Sequence, residues 1–206
     1  MSKYRIFLIT IFIIALVLSA INPPAGRDDW LLENIPIFMA MAIFIFSFNH
    51  LKFSNFSATL LIIYLLFPLT ASHFGVTGVP LGKIIGDIMG TTRNMYDRLT
   101  HFMFGFLCYY PAWELVKNIN KRENIWNYYI PLETIFALSA IYEIFEWLAA
   151  ITVNPVLAAS FYGSQGDIFD TPKDMATAAV GAIIAMVLTY LYNRYKNRNL
   201  EEAQQY

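Results

Sequence analysis

Apolar residues recur along this chain in runs too long and too uniform for a soluble core. IFLITIFIIALVL from Ile6, IFMAMAIFIF from Ile37 and ATLLIIYLLFPL from Ala58 are hydrophobic on every side, as helices are when they face lipid. Strand-like alternation is absent throughout. A bilayer core of about 30 Å asks for about 20 mostly apolar residues per helix. The pattern predicts six such spans, over roughly 5–21, 31–49, 56–73, 96–116, 128–150 and 173–192. The first three are plain, whereas each of the last three carries ionisable residues on an otherwise apolar helix. Lys3 and Arg5 ahead of the first run suit a signal peptide, but its apolar core is long and Ser19-Ala20 is a weak cleavage site. That helix is expected to be retained.

Composition supports the same class. With 57% hydrophobic and 14% charged residues and a mean hydropathy of +0.48, the chain has too little polar surface to cover a soluble globule. The expectation is an all-α, polytopic transmembrane helix bundle in a single membrane domain, 1–206. A net charge of -1 offers no basic stripe for nucleic acid. The lone cysteine, Cys108, excludes an intrachain disulfide. Lys and Arg orient the bundle: nine lie at the N-terminus, around Lys52, around Lys117, Lys121 and Arg122, and in the tail, against four (Arg27, Lys83, Arg93, Lys173) in the alternate connections. Positive charge stays inside, so both termini are expected in the cytoplasm. Trp126, Tyr128, Tyr129, Tyr190, Tyr192 and Tyr195 then form an inner aromatic belt. The long Gly- and Pro-rich connections, 74–95 and 151–172, are expected as outside loops.

This orientation collects the charges at one depth. The fourth span enters from outside with Asp97, Arg98 and His101; the fifth leaves with Glu143 and Glu146; the sixth starts inward with Asp170 and Asp174. At about 1.5 Å of rise per residue, Asp97, His101, Glu143, Glu146 and Asp174 fall within roughly 10 Å of the outer boundary. Helical spacing adds a face to each: Asp97, His101, Gly105 and Cys108; Ser139, Glu143, Glu146 and Ala150; Asp174, Thr177, Gly181 and Ala185. Small residues let such faces approach.

Plainer readings compete for several of these residues. Thr171, Pro172 and Asp174 also fit an N-cap, an N1 proline and an acidic N3. Asp167 and Asp170, near Gly163 and Gly166, also suit turns, and His101 alone suits a packed histidine. The glutamates are harder to explain away. An acidic group inside a span costs about 2.5–3.5 kcal/mol even on the gentler insertion scale, so Glu143 and Glu146 imply a partner, a water-filled cavity or a shared proton, and Arg98 is the cheapest partner to propose. His73 could also reach the site; His50, on the cytoplasmic side, could not. Tyr109, Tyr110 and Trp113 read as core or belt residues, and Pro111 as a kink. No HExxH, CxxC, GxSxG or phosphate-binding glycine loop occurs. His101, Glu143, Glu146 and Asp174 nevertheless form a set that could hold a divalent cation.

The motifs YDRLTHFMFG (96–105), YEIFEW (142–147) and YGSQGDIFDTPKDM (162–175) resemble the bacterial inner-membrane family typified by YjdF, over roughly residues 30–192. More distantly, Asp97, His101, the pair Glu143 and Glu146, and Asp174 followed by Gly181 resemble the VanZ-like membrane family. That likeness implies an outward-facing interaction with envelope lipids or cell-wall precursors. The functional expectation is an inner-membrane protein whose pocket, built from Asp97, Arg98, His101, Glu143, Glu146, Asp167, Asp170 and Asp174, recognises a polar headgroup or a cation. The alternatives are a metal-assisted hydrolase or transferase acting on lipid phosphate esters, and a scaffold whose buried charges fix helix register.

Overall fold

The computed structural model describes residues 2–51, 53–120, 124–152 and 165–203, and these form seven α-helices and no strand. Lys52, Lys121, Arg122, Gly163 and most of the 151–172 connection lie outside the described residues. The helices are α1 (Lys3–Ser19), α2 (Arg27–Leu51), α3 (Asn55–Phe74), α4 (Pro80–Ile88), α5 (Tyr96–Ile119), α6 (Trp126–Thr152) and α7 (Asp170–Ala203). Among the described residues, α3, α6 and the Asp170–Leu200 part of α7 are long and apolar enough to cross a membrane.

Local chemistry sets the helix ends. Ser2 caps α1 by accepting from the Arg5 amide, and Ser54 caps α3 by accepting from the Ser57 amide. Glu114, far along α5, strengthens the second cap. Its Oε2 accepts from the Ser54 amide at 2.9 Å, from Ser54 Oγ at 3.1 Å and from Ser57 Oγ at 2.5 Å. A carboxylate there answers the exposed amides and positive dipole of a helix start. Arg5 ties α1 to the same corner through Asn55 Oδ1 at 3.0 Å and the Phe53 carbonyl.

The helices share two larger apolar cores and a smaller one of Ala71, Val76, Val79 and Tyr96. Leu8 and Phe12 of α1, Ile37 of α2 and Ala58, Ile62, Leu65 and Leu69 of α3 form one. Cys108, Tyr109 and Trp113 of α5, Ile135 of α6 and Ala182 and Ala185 of α7 form the other. Tyr109 is fully buried and satisfies its hydroxyl by donating to the Tyr128 carbonyl at 2.9 Å. α5 runs without interruption through Pro111. It meets α7 at a backbone crossing: a Cβ on Gly105 would stand 1.9 Å from the Ala178 carbonyl oxygen, and one on Gly181 would stand 2.3 Å from that of Phe102. Glycine at both positions permits that approach.

The connection expected as a loop, 74–95, is largely helical. A 3-10 turn (Val76–Gly78) leads into α4, which starts with Pro80 in its first turn. Asn94 anchors the return, donating Nδ2 to the Thr77 and Val79 carbonyls at 2.8 and 2.9 Å and accepting from the Tyr96 amide at 3.0 Å. α2 also starts earlier than the apolar run, and its first two turns bury Asp29, Glu33 and Asn34.

Candidate functional site

Because Asn94 fixes where α5 begins, Asp97, Arg98 and His101 fall in its opening turns, all buried. The α7 start is held from the same place. The Asn94 amide donates to Gln165 Oε1 at 2.8 Å, and Gln165 Nε2 donates back to the Asn94 carbonyl at 3.0 Å. Gln165 and Gly166 then turn with positive φ. Asp167 closes the turn, accepting from the Phe169 amide at 3.0 Å and from Lys173 Nζ at 2.7 Å. Those two donors, with Arg98 nearby, hold its carboxyl below the usual range. α7 therefore begins at Asp170, and Thr171 stands inside the helix instead of capping it.

Arg98 does not pair with the glutamates. Its Nη2 lies 2.6 Å from Asp170 Oδ1, its Nη1 donates to the Asp170 carbonyl at 2.9 Å and pairs with Asp174 Oδ2, and Asp167 Oδ2 is 3.4 Å away. Arg93 joins from the preceding loop, 2.5 Å from Asp170 Oδ1 and 3.9 Å from Asp97. The glycine crossing explains the choice of partners: it lays the first turn of α5 against the first turn of α7, so the guanidinium meets aspartates before it can reach α6.

His101 serves as the link to α6. Its Nε2 is 3.4 Å from Glu143 Oε1 and 3.6 Å from Asp97 Oδ1, and Tyr142 meets its ring edge-on with centroids 5.7 Å apart. Ligand atoms of Asp97, His101 and Asp174 all lie within 4.8 Å of one another. Glu143 is also hydrogen-bonded to Thr171. The inward face of α6 buries Ile135, Ser139, Glu143, Glu146 and Ala149, so the stripe runs on through Ala149; Ala150 is half-buried. Ile141, Ile144, Trp147, Leu148 and Ile151 on the other side stay exposed.

Glu146 faces a cavity of about 240 Å³, together with Asp97, His101, Tyr142, Ser139 and Glu33. Ile37, Leu65, Pro68, Phe104 and Leu138 form its apolar wall. Glu33 was not expected there. It is 6% exposed, and its Oε1 has no hydrogen-bond partner. Asp29, Glu33 and Ile37 recur at helical spacing, a signal visible once the helix is extended back from the apolar run. His73 lies elsewhere, its Nδ1 2.9 Å from the Ser19 carbonyl and its ring against Phe74. The side chain of His50 is outside the described residues.

Glu33, Asp97, Glu143, Glu146, Asp170 and Asp174 are all buried. Among the described residues, the arginines beside them are Arg93 and Arg98, both engaged by Asp170. Buried carboxylates in such excess demand protons or a further cation.

A helical bundle with membrane-length apolar helices and a polar cluster near one end belongs to the class of integral membrane proteins. A family model described as "Predicted membrane protein (DUF2238)" matches residues 4–195, and the chain belongs to that family. It is 28% identical over 159 residues to the inner membrane protein YjdF of Escherichia coli K12, covering 77% of this chain and 76% of that protein. No solved structure matches the chain.

Proposed function

We propose that the protein recognises the polar head of a membrane amphiphile, one carrying a positive charge such as an ammonium group, in the cavity between α2, α3, α5 and α6. The observation that carries this reading is the lining. Glu33, Asp97 and Glu146 stand at a polar end with His101, no Lys or Arg among the described residues faces the space, and the remaining wall is largely apolar. A pocket of about 240 Å³ is smaller than the roughly 300–1,000 Å³ that encloses drug-sized ligands. It suits a headgroup and its first methylenes better than a whole lipid.

This reading takes α1, α2, α3, α5, α6 and α7 as six spans of one inner-membrane domain, with both termini in the cytoplasm and α4 at the outer surface. The Lys and Arg asymmetry supports that arrangement, and the name of the YjdF relative supports the inner membrane. The order Asp97, His101, Glu143, Glu146, Asp174, Gly181 supports a remoter kinship with VanZ-like proteins and an envelope lipid or precursor as ligand.

The test uses purified protein in nanodiscs of equal phosphatidylethanolamine and phosphatidylglycerol, with retained lipids weighed by native mass spectrometry. Wild type should retain phosphatidylethanolamine preferentially, and Glu146→Gln should weaken that preference about tenfold, the equivalent of about 1.4 kcal/mol. Equal retention of both lipids by wild type would sink the reading. A lipid cleavage product that depends on wild type would replace it with the hydrolase.

A further inference from the structure

We infer that Asp97, His101 and Asp174, with Glu143 beside His101, form a binding site for one first-row divalent cation, with Zn²⁺ the best match. The site borders the proposed amphiphile cavity through Asp97 and His101, whereas Glu143 and Asp174 do not line that cavity, so substitutions at these two test the metal site separately.

The distances are the first argument. His101 Nε2 stands 3.4 Å from Glu143 Oε1 and 3.6 Å from Asp97 Oδ1. Both are longer than the roughly 2.7–3.2 Å of an N–H···O bond. They match the edge of a tetrahedron of ligands: bonds of about 2.0–2.2 Å to zinc put neighbouring donors about 3.3–3.6 Å apart. Asp174 brings a third carboxylate, with the Asp97, His101 and Asp174 ligand atoms all within 4.8 Å of one another. Three donors converge from two helices, and Glu143 of α6 stands beside His101.

Unanswered atoms are the second argument. Glu143 Oε1 and Asp174 Oδ1 are buried on residues 3% and 2% exposed, and neither has a hydrogen-bond partner. Unpaired carboxylate oxygens in such places are rare. One proton would satisfy one of them, and a divalent cation satisfies both. The other oxygen of each group is already oriented, as outer partners of metal ligands are: Arg98 pairs with Asp174 Oδ2, and Thr171 hydrogen-bonds Glu143. With its proton on Nδ1, neutral His101 offers the Nε2 lone pair. One imidazole and two carboxylates, with the Glu143 carboxylate beside the imidazole, suit zinc, and also manganese or iron.

Equilibrium dialysis of the detergent-purified protein against Zn²⁺ tests the site. Wild type should hold one equivalent. Glu143→Gln and Asp174→Asn should each weaken binding at least tenfold, while Glu33→Gln, which alters only the cavity, should stay within about twofold. X-ray absorption on zinc-loaded wild type needs no variant to fold, and should find one imidazole among oxygen ligands. The site is overturned if wild type holds under half an equivalent at micromolar free zinc. It is equally overturned if the spectrum lacks imidazole or contains sulfur from Cys108, or if both variants keep wild-type affinity.

Discussion

Asp167 is the residue whose role divides most clearly into parts. It stands partly exposed at the turn into α7, accepts from the Phe169 amide, and pairs with Lys173 and Arg98. Because these contacts hold its carboxyl below the usual range, the folded state prefers the ionised form. Its contribution to stability is therefore full above the ordinary carboxylate range, and it is lost as pH falls through the lowered folded value. Asp167→Asn should melt below wild type at neutral pH, and the gap should close on acidification, since every other titrating group is common to both proteins. A gap that stays constant from neutral to strongly acid pH in thermal unfolding would refute this. At this scale the sequence was partly legible. Depth and helical phase brought Asp97, His101, Glu143 and Asp174 together, because each sits on a single predictable helix. The pairing of Arg98 with α7 was not legible, because it depends on how closely two backbones approach. Glu33 escaped notice for another reason: hydropathy registers the cost of lipid exposure, and a charge that turns inward can continue a helix past the apolar run.

Among the elements, the crossing of α5 and α7 is the most tightly determined. The atoms facing Gly105 and Gly181 are backbone carbonyls and amides, which cannot rotate aside as a side chain would. Gly105→Ala or Gly181→Ala must then separate the helices, at a cost of about 1–3 kcal/mol by the general behaviour of overpacked interiors. Thermal unfolding should show both variants destabilised, and a midpoint equal to wild type for either would show that the crossing is looser than described. All six apolar runs became helices, five with ends shifted by a few residues and the last running on to Ala203, since uniform hydrophobicity at membrane length permits little else. α4 was hidden by its glycines and its proline. Pro80 opens the helix, and Gly82 packs where a side chain would meet Asn94 and Tyr96, so residues that usually mark a loop here serve close packing.

For the whole molecule, orientation is the property on which the site's access depends. With Cys108 replaced by alanine, a single cysteine at Thr92 should react with an impermeant thiol reagent from outside intact cells, and one at Asn118 should react only after permeabilisation. Both positions are exposed, so silence cannot come from burial, and the reverse pattern would place the charged cluster on the cytoplasmic side. The pairing of α5 with α7 also bears on how the molecule is made. Arg98 is synthesised 72 residues before Asp170 and 76 before Asp174, so on the ribosome α5 emerges long before the aspartates that neutralise it. A translocon offering α5 to lipid at that moment would confront bare charge. In the six-span arrangement proposed above, the nascent helix waits beside the channel until α7 arrives, and the second half of the chain enters the bilayer as a group.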